Sequence, residues 1–174
     1  MTAARYLRGL ETLRRRELVW GVVREPPAPF YGHQALVTRL AALLEPHVRA
    51  KQLGRVCVAP IDVVLDARRH LVVQPDLVFV SAARLSIIQN QIWGAPDLVV
   101  EVLSPGTARH DGTTKLAWYG QYGVGECWLV DPRDRRLEVV TLAGPRPGRR
   151  SFRAGRVRSR VLPGLRLRVA ELFE

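Results

Sequence analysis

Two carboxylates interrupt runs that otherwise read as buried β-strand: Asp76 in VVQPDLVFV and Glu101 in DLVVEVL. An ionised acid in an apolar layer costs several kcal/mol unless a cation or hydrogen-bond donors meet it. A fold that keeps both acids must therefore bring partners to them. Side chains two apart on a strand share a face, so Glu101 and Leu103 point one way while Val100 and Val102 enter the opposite layer. If the two strands are neighbours, the carboxylates converge, and hard oxygen ligands suit one Mg²⁺ ion, with Mn²⁺ as its substitute. The structural alternatives are an Asp76 that closes a turn after Pro75 and a Glu101 that is half exposed or paired with arginine.

The surrounding pattern gives an element order. Residues 1–16 read as a basic amphipathic helix, with Tyr6, Leu7, Leu10 and Leu13 at helical spacing. Residues 17–25 alternate around Gly21 as a short hairpin, and Pro26, Pro27 and Pro29 then break regular structure. From His33, the stripe Leu36, Leu40, Leu43, Leu44, Val48 predicts a helix, which Pro46 is expected to kink or end. Strands are predicted over 55–65, 71–80 and 96–103. A helix over about 112–122, capped by Asp111, and a strand over 126–130 follow. A hairpin from 136–141 onward crosses a Gly/Pro/Arg loop at 144–148. The core is thus α-β-β-β-α-β, an α/β chain with a mixed sheet flanked by helices. At 174 residues it is expected to form one domain, 1–174, with a core large enough to need no disulfides. Cys57 and Cys127 each lie in an apolar run and read as reduced, buried thiols.

Formal charge is +11, and of the 27 basic residues only Lys51 and Lys115 are lysine. Arginines cluster at 14–16, at 133, 135 and 136, and from Arg149 to Arg160. Such an excess either serves solubility or meets nucleic-acid phosphates through a salt-sensitive term. No apolar run approaches the roughly 20 residues of a membrane helix. A cytoplasmic location without membrane contact is expected.

The segment GAPDLVVEVLSPGTARHDGTTKLAWYGQYGVGECWLVDP resembles the centre of the bacterial Uma family of putative restriction endonucleases, a branch of the PD-(D/E)XK nuclease superfamily. ELVWGVV and PAPFYGHQALV resemble its N-terminal part, VVQPDLVFV its second core strand and VLPGLRLRVAELF its ending. The resemblance implies a restriction-endonuclease-like fold, Mg²⁺-dependent hydrolysis of DNA and, by analogy with enzymes that cut two strands, a homodimer. It assigns Asp76 to the aspartate of the Pro-Asp element and Glu101 to the acid of the next strand, together the metal ligands.

The superfamily's lysine normally follows that acid by two residues, where this chain has Leu103. The resemblance moves the lysine to the next helix, at Lys115. Arginine would not replace it, because lysine is a compact charge whose pKa can be tuned. The alternative for Lys115 is a solvated residue paired with Asp111 four positions back. His33 matches a histidine that opens the first core helix and could face the cleft. Gln74, Asp62 and Glu45 are weaker candidates, and Asp97, about 13 Å along the strand from Glu101, is too far for the same ion. Competing with the nuclease are a non-catalytic nucleic-acid-binding module with a degenerate site and a partner-binding protein without nucleic acid.

Overall fold

The computed structural model describes residues 1–9, 14–106, 108–144 and 148–174. Its first helix, α1 (Ala3–Leu7), is far shorter than the 1–16 expected from periodicity. Leu10 and Leu13 lie outside the described residues, and Arg14, Arg15 and Arg16 form no helix. The hairpin follows as β1 (Glu17–Val19) and β2 (Val22–Arg24), turned by Trp20 and Gly21, both at positive φ. Helix α2 (Tyr31–Ala50) starts two residues before His33 and runs through Pro46. The proline is tolerated because the backbone carbonyl it leaves unpaired, that of Ala42, belongs to an exposed residue that water can reach.

Two of the predicted strands are broken. Residues 55–65 divide into β3 (Gly54–Val58) and β4 (Val63–Asp66), and 71–80 into β5 (Leu71–Val73) and β6 (Leu77–Ser81). The halves of each run enter different sheets. With β7 (Ile92–Trp93), one sheet has the order β2-β1-β5-β4-β7. With β8 (Leu98–Val102), β9 (Glu126–Asp131), β10 (Arg136–Thr141) and β11 (Gly148–Phe152), the other has the order β11-β10-β9-β8-β6-β3. Each is mixed, through the parallel pairs β4–β7 and β8–β9. The expected α/β architecture of mixed sheet flanked by helices is present, with its strands divided over two mixed sheets, because a chain that crosses between sheets at a Pro-containing break keeps the apolar composition of one long strand.

The six-stranded sheet separates two cores. On one face Leu77, Phe79, Val100 and Val102 pack against Leu36, Leu40, Leu44 and Val48 of α2. On the other, Val78, Val99, Cys127 and Leu129 meet the five-stranded sheet and α3 (Leu116–Tyr122) through Trp118 and Tyr119. Helix α3 continues a wide π-helical turn, His110–Lys115, in which Asp111 is buried; it is not the helix cap expected of it. Cys127 is buried as expected, but Cys57 is exposed, because β3 is the last strand of its sheet.

Where β3 begins, Gly54 lets the backbone approach β6 closely: a Cβ there would stand 2.0 Å from the Val80 carbonyl oxygen, and φ is +153°. Gly54→Ala is expected to destabilise the protein by at least about 2 kcal/mol. Thermal unfolding should show a fall in Tm of roughly 4 °C or more, and an unchanged Tm would mean that β3 can move away from β6 freely.

Candidate active site

Asp76 stands at the break between β5 and β6, where the chain changes sheets. The antiparallel register of β6 on β8 pairs Leu77 with Val100. One further step in that register sets Asp76 opposite Glu101, on the face shared by Val78 and Val99. Both acids are almost completely buried. Asp76 Oδ2 accepts from the Val102 backbone N–H at 2.7 Å and faces His33 Nε2 at 3.3 Å. His33, in the first turn of α2, is thus beside Asp76 while its Nδ1 meets Gln34 Oε1 at 3.2 Å.

Lys115 reaches Glu101 from the opposite side. Its Nζ lies 2.6 Å from Glu101 Oε1, 2.9 Å from Glu17 Oε1 and 3.7 Å from Asp111 Oδ1. The pair with Asp111 is real, yet Lys115 is only 1% exposed, so it is not the solvated helix residue of the alternative reading. Tyr119 donates its hydroxyl to the same Glu101 Oε1 at 2.5 Å. The other oxygen, Oε2, is buried without a hydrogen bond among the described residues and has the Arg15 guanidinium at 3.6 Å. Arg15 also donates to Asp76 Oδ1 at 2.7 Å and to the Gln74 carbonyl at 2.6 Å.

These contacts determine the protonation of the site. Burial is the largest influence on Glu101; with the charges of Asp111 and Asp76 it outweighs Lys115 and holds the carboxyl up at about 7. Burial opposes the charge on Lys115, but Glu101, Glu17 and Asp111 outweigh it, so the ammonium is held above its ordinary value. Burial likewise opposes ionisation of Asp76, and His33 and Arg15 overcome it to keep this carboxylate below its usual range. The His33 ring is raised, because its hydrogen bond to Asp76 outweighs its burial.

The structure thus brings Asp76, Glu101, Lys115 and His33 together. It leaves the weaker candidates elsewhere. Glu45 is exposed on α2. The Gln74 side chain donates to Asp62 Oδ1 and accepts from the Arg16 N–H, turned away from the pair of acids. Asp62 also accepts from the Tyr6 hydroxyl. Asp97 is held by the Ser81 N–H and Arg84. Sequence reasoning missed Arg15, Glu17 and Tyr119. Glu17 carried a signal, being an acid at the edge of the apolar run ELVWGVV; Arg15 and Tyr119 carried none.

The cluster opens onto a cleft of about 630 Å³ bounded by the Pro26–Pro29 segment, Phe30, His33, Asp76 and Lys115. Among the described residues, the carboxylates of Glu17, Asp76, Glu101 and Asp111 meet the Lys115 ammonium and the Arg15 guanidinium. Among the described residues no group of three or more His, Cys, Asp or Glu side chains forms a complete metal cage. A different arrangement fits a cation. Asp76 Oδ1 and Glu101 Oε2, the latter without a hydrogen bond among the described residues, both face the Arg15 guanidinium, and Mg²⁺ accepts one or two carboxylates when water and phosphate complete its shell.

A family model, Uma2, described as "Putative restriction endonuclease", matches residues 3–170. Among solved structures, that of "a putative nuclease belonging to DUF820" from Anabaena variabilis is similar with a TM-score of 0.82 at 20% identity. The match covers 99% of this chain and 97% of that one. At that identity the likeness is one of fold. None of the curated proteins matches this chain.

Proposed function

The chain belongs to the Uma2 family, and on that premise we propose that it is a nuclease that hydrolyses DNA phosphodiester bonds with Mg²⁺ held by Asp76 and Glu101. The observation that carries this reading is the facing pair of buried carboxylates with Lys115 locked against one of them. Bound there, Mg²⁺ would supply Lewis-acid polarisation of the phosphate and a water more easily deprotonated. The protein's own groups do the rest. Lys115, kept protonated by three acids, holds Glu101 in place and places positive charge where the transition state gains negative charge. His33, beside Asp76 at the cleft, orients a phosphate oxygen or a water. The arginine-rich surface attracts the DNA. We place the protein in the cytoplasm as a homodimer; no helix among the described residues is long and apolar enough to cross a membrane.

Single-turnover cleavage of supercoiled plasmid, with Mg²⁺ and with chelator, tests the proposal. Cleavage should require the metal and vanish in Asp76→Ala. A second reading, a non-catalytic nucleic-acid-binding module, is favoured by Leu103 standing where the superfamily has its lysine, and predicts binding without cleavage. In Ca²⁺, affinity for duplex should fall steeply with salt, log affinity against log salt having a slope of about −4 to −5 for some five phosphate contacts. A flat response would exclude nucleic acid as the partner.

A further inference from the structure

We propose that Arg15 is the resident cation of the Asp76–Glu101 seat, and that it passes to a phosphate oxygen of the substrate when a divalent ion takes that seat. The proposal rests on the nuclease reading above and adds to it a substrate-binding residue. The guanidinium occupies the position a metal would need. It touches three oxygens, Asp76 Oδ1 at 2.7 Å, the Gln74 carbonyl at 2.6 Å and Glu101 Oε2 at 3.6 Å. An arginine cannot give up its charge to make room, so ion and guanidinium exclude one another by repulsion as well as by volume.

Arg15 is also placed to leave. It stands outside any helix or strand, its side chain is 23% exposed, and its Nε is buried with no hydrogen-bond partner among the described residues. The next residue is anchored: the Arg16 N–H bonds Gln74 Oε1, its carbonyl accepts from the Tyr6 hydroxyl, and its guanidinium lies over the Tyr6 ring. Departure therefore needs a change of the Arg15 side chain and no movement of β1. Lys115, 1% exposed and held by three acids, has no such freedom. Arg15 lines the cleft itself, so a displaced guanidinium stays within it, and its planar fork matches two phosphate oxygens.

Mn²⁺ titration of the full chain, followed by the electron paramagnetic resonance of free Mn²⁺, tests the first half for the parent, Arg15→Gln and Arg15→Lys. DNA affinity in Ca²⁺ tests the second. Arg15→Gln is expected to bind Mn²⁺ roughly tenfold more tightly than the parent and, once loaded, DNA roughly tenfold more weakly, the size of a lost charged hydrogen bond. Its metal-free form should melt below the parent and gain more from Mn²⁺, since Asp76 and Glu101 lose the cation they share and keep only His33 and Lys115. Arg15→Lys, which keeps a charge near the site if the glutamine variant fails to fold, should bind Mn²⁺ with an affinity between the two. Mn²⁺ affinity unchanged or weaker in both variants overturns the proposal, and so does tighter Mn²⁺ binding with DNA affinity unaltered. If neither the parent nor the variants bind Mn²⁺, the nuclease reading itself falls.

Discussion

Lys115→Ala is expected to destabilise the protein by about 3–5 kcal/mol, because it leaves the buried Glu101, Glu17 and Asp111 without their shared cation. Against a total stability of about 5–15 kcal/mol this is severe, and Tm should fall by roughly 6–20 °C. The pH dependence has a definite sign. Since the folded state holds the Lys115 proton more tightly than the unfolded chain, its contribution is complete at neutral pH and is lost only as pH rises past about 10.4.

Lys115→Arg separates charge from shape. A phosphate anchor would accept the change. A 1%-exposed ammonium fixed at 2.6 and 2.9 Å between two carboxylates leaves little room for a wider fork. Cleavage by the arginine variant, whose charge is no longer held in the same place, should therefore fall by about 10²-fold, with duplex affinity in Ca²⁺ within a few-fold of the parent. Cleavage within a few-fold as well would show that the site accepts any cation there and that the compact shape of Lys115 does not matter.

Glu101→Gln is expected to abolish Mn²⁺ binding and Mg²⁺-dependent cleavage while leaving the protein at least as stable as the parent at pH 8. Burial holds this carboxyl up at about 7. Between about 4.5 and 7 the folded parent keeps a proton that its unfolded chain has released, so its stability falls as pH rises through that window, by no more than about 3 kcal/mol. Glutamine does not titrate, and urea unfolding of the variant should lack this decline. Asp76 behaves oppositely: its lowered pKa contributes stability above about pH 4 that is lost on acidification, so Asp76→Asn should cost stability at neutral pH. A Glu101→Gln variant several kcal/mol less stable than the parent at pH 8 would show that ionised Glu101 stabilises the fold through Lys115.

Much of the site was legible because burial is written into local pattern. Asp76 and Glu101 stood out as charges among valines, and the two-residue period of a strand correctly placed Val100 and Val102 in the layer opposite Glu101. Resemblance to the Uma family then directed attention to Lys115 and His33, which composition and spacing alone would have left as a helix residue and a helix opening. The long helix was read correctly from its stripe, and it does not end at Pro46, since the sequence does not say whether the bond a proline removes faces water.

What the sequence by itself determined is which residues must be buried and which of them demand a counter-charge, since strand and helix periods and the cost of burying an acid are local properties. Only the tertiary structure decided who supplies that charge. Arg15 and Glu17 lie some sixty to a hundred residues from the groups they meet, and no periodicity reaches so far. The same holds for the two sheets: the runs 55–65 and 71–80 look continuous because both halves of each are apolar, and only pairing sends the halves apart, β5 to β1 and β6 to β8, with β4 following β5 and β3 following β6. That parting opens the chain beside Asp76, and it is where the cleft, the carboxylate pair and the arginine between them are assembled.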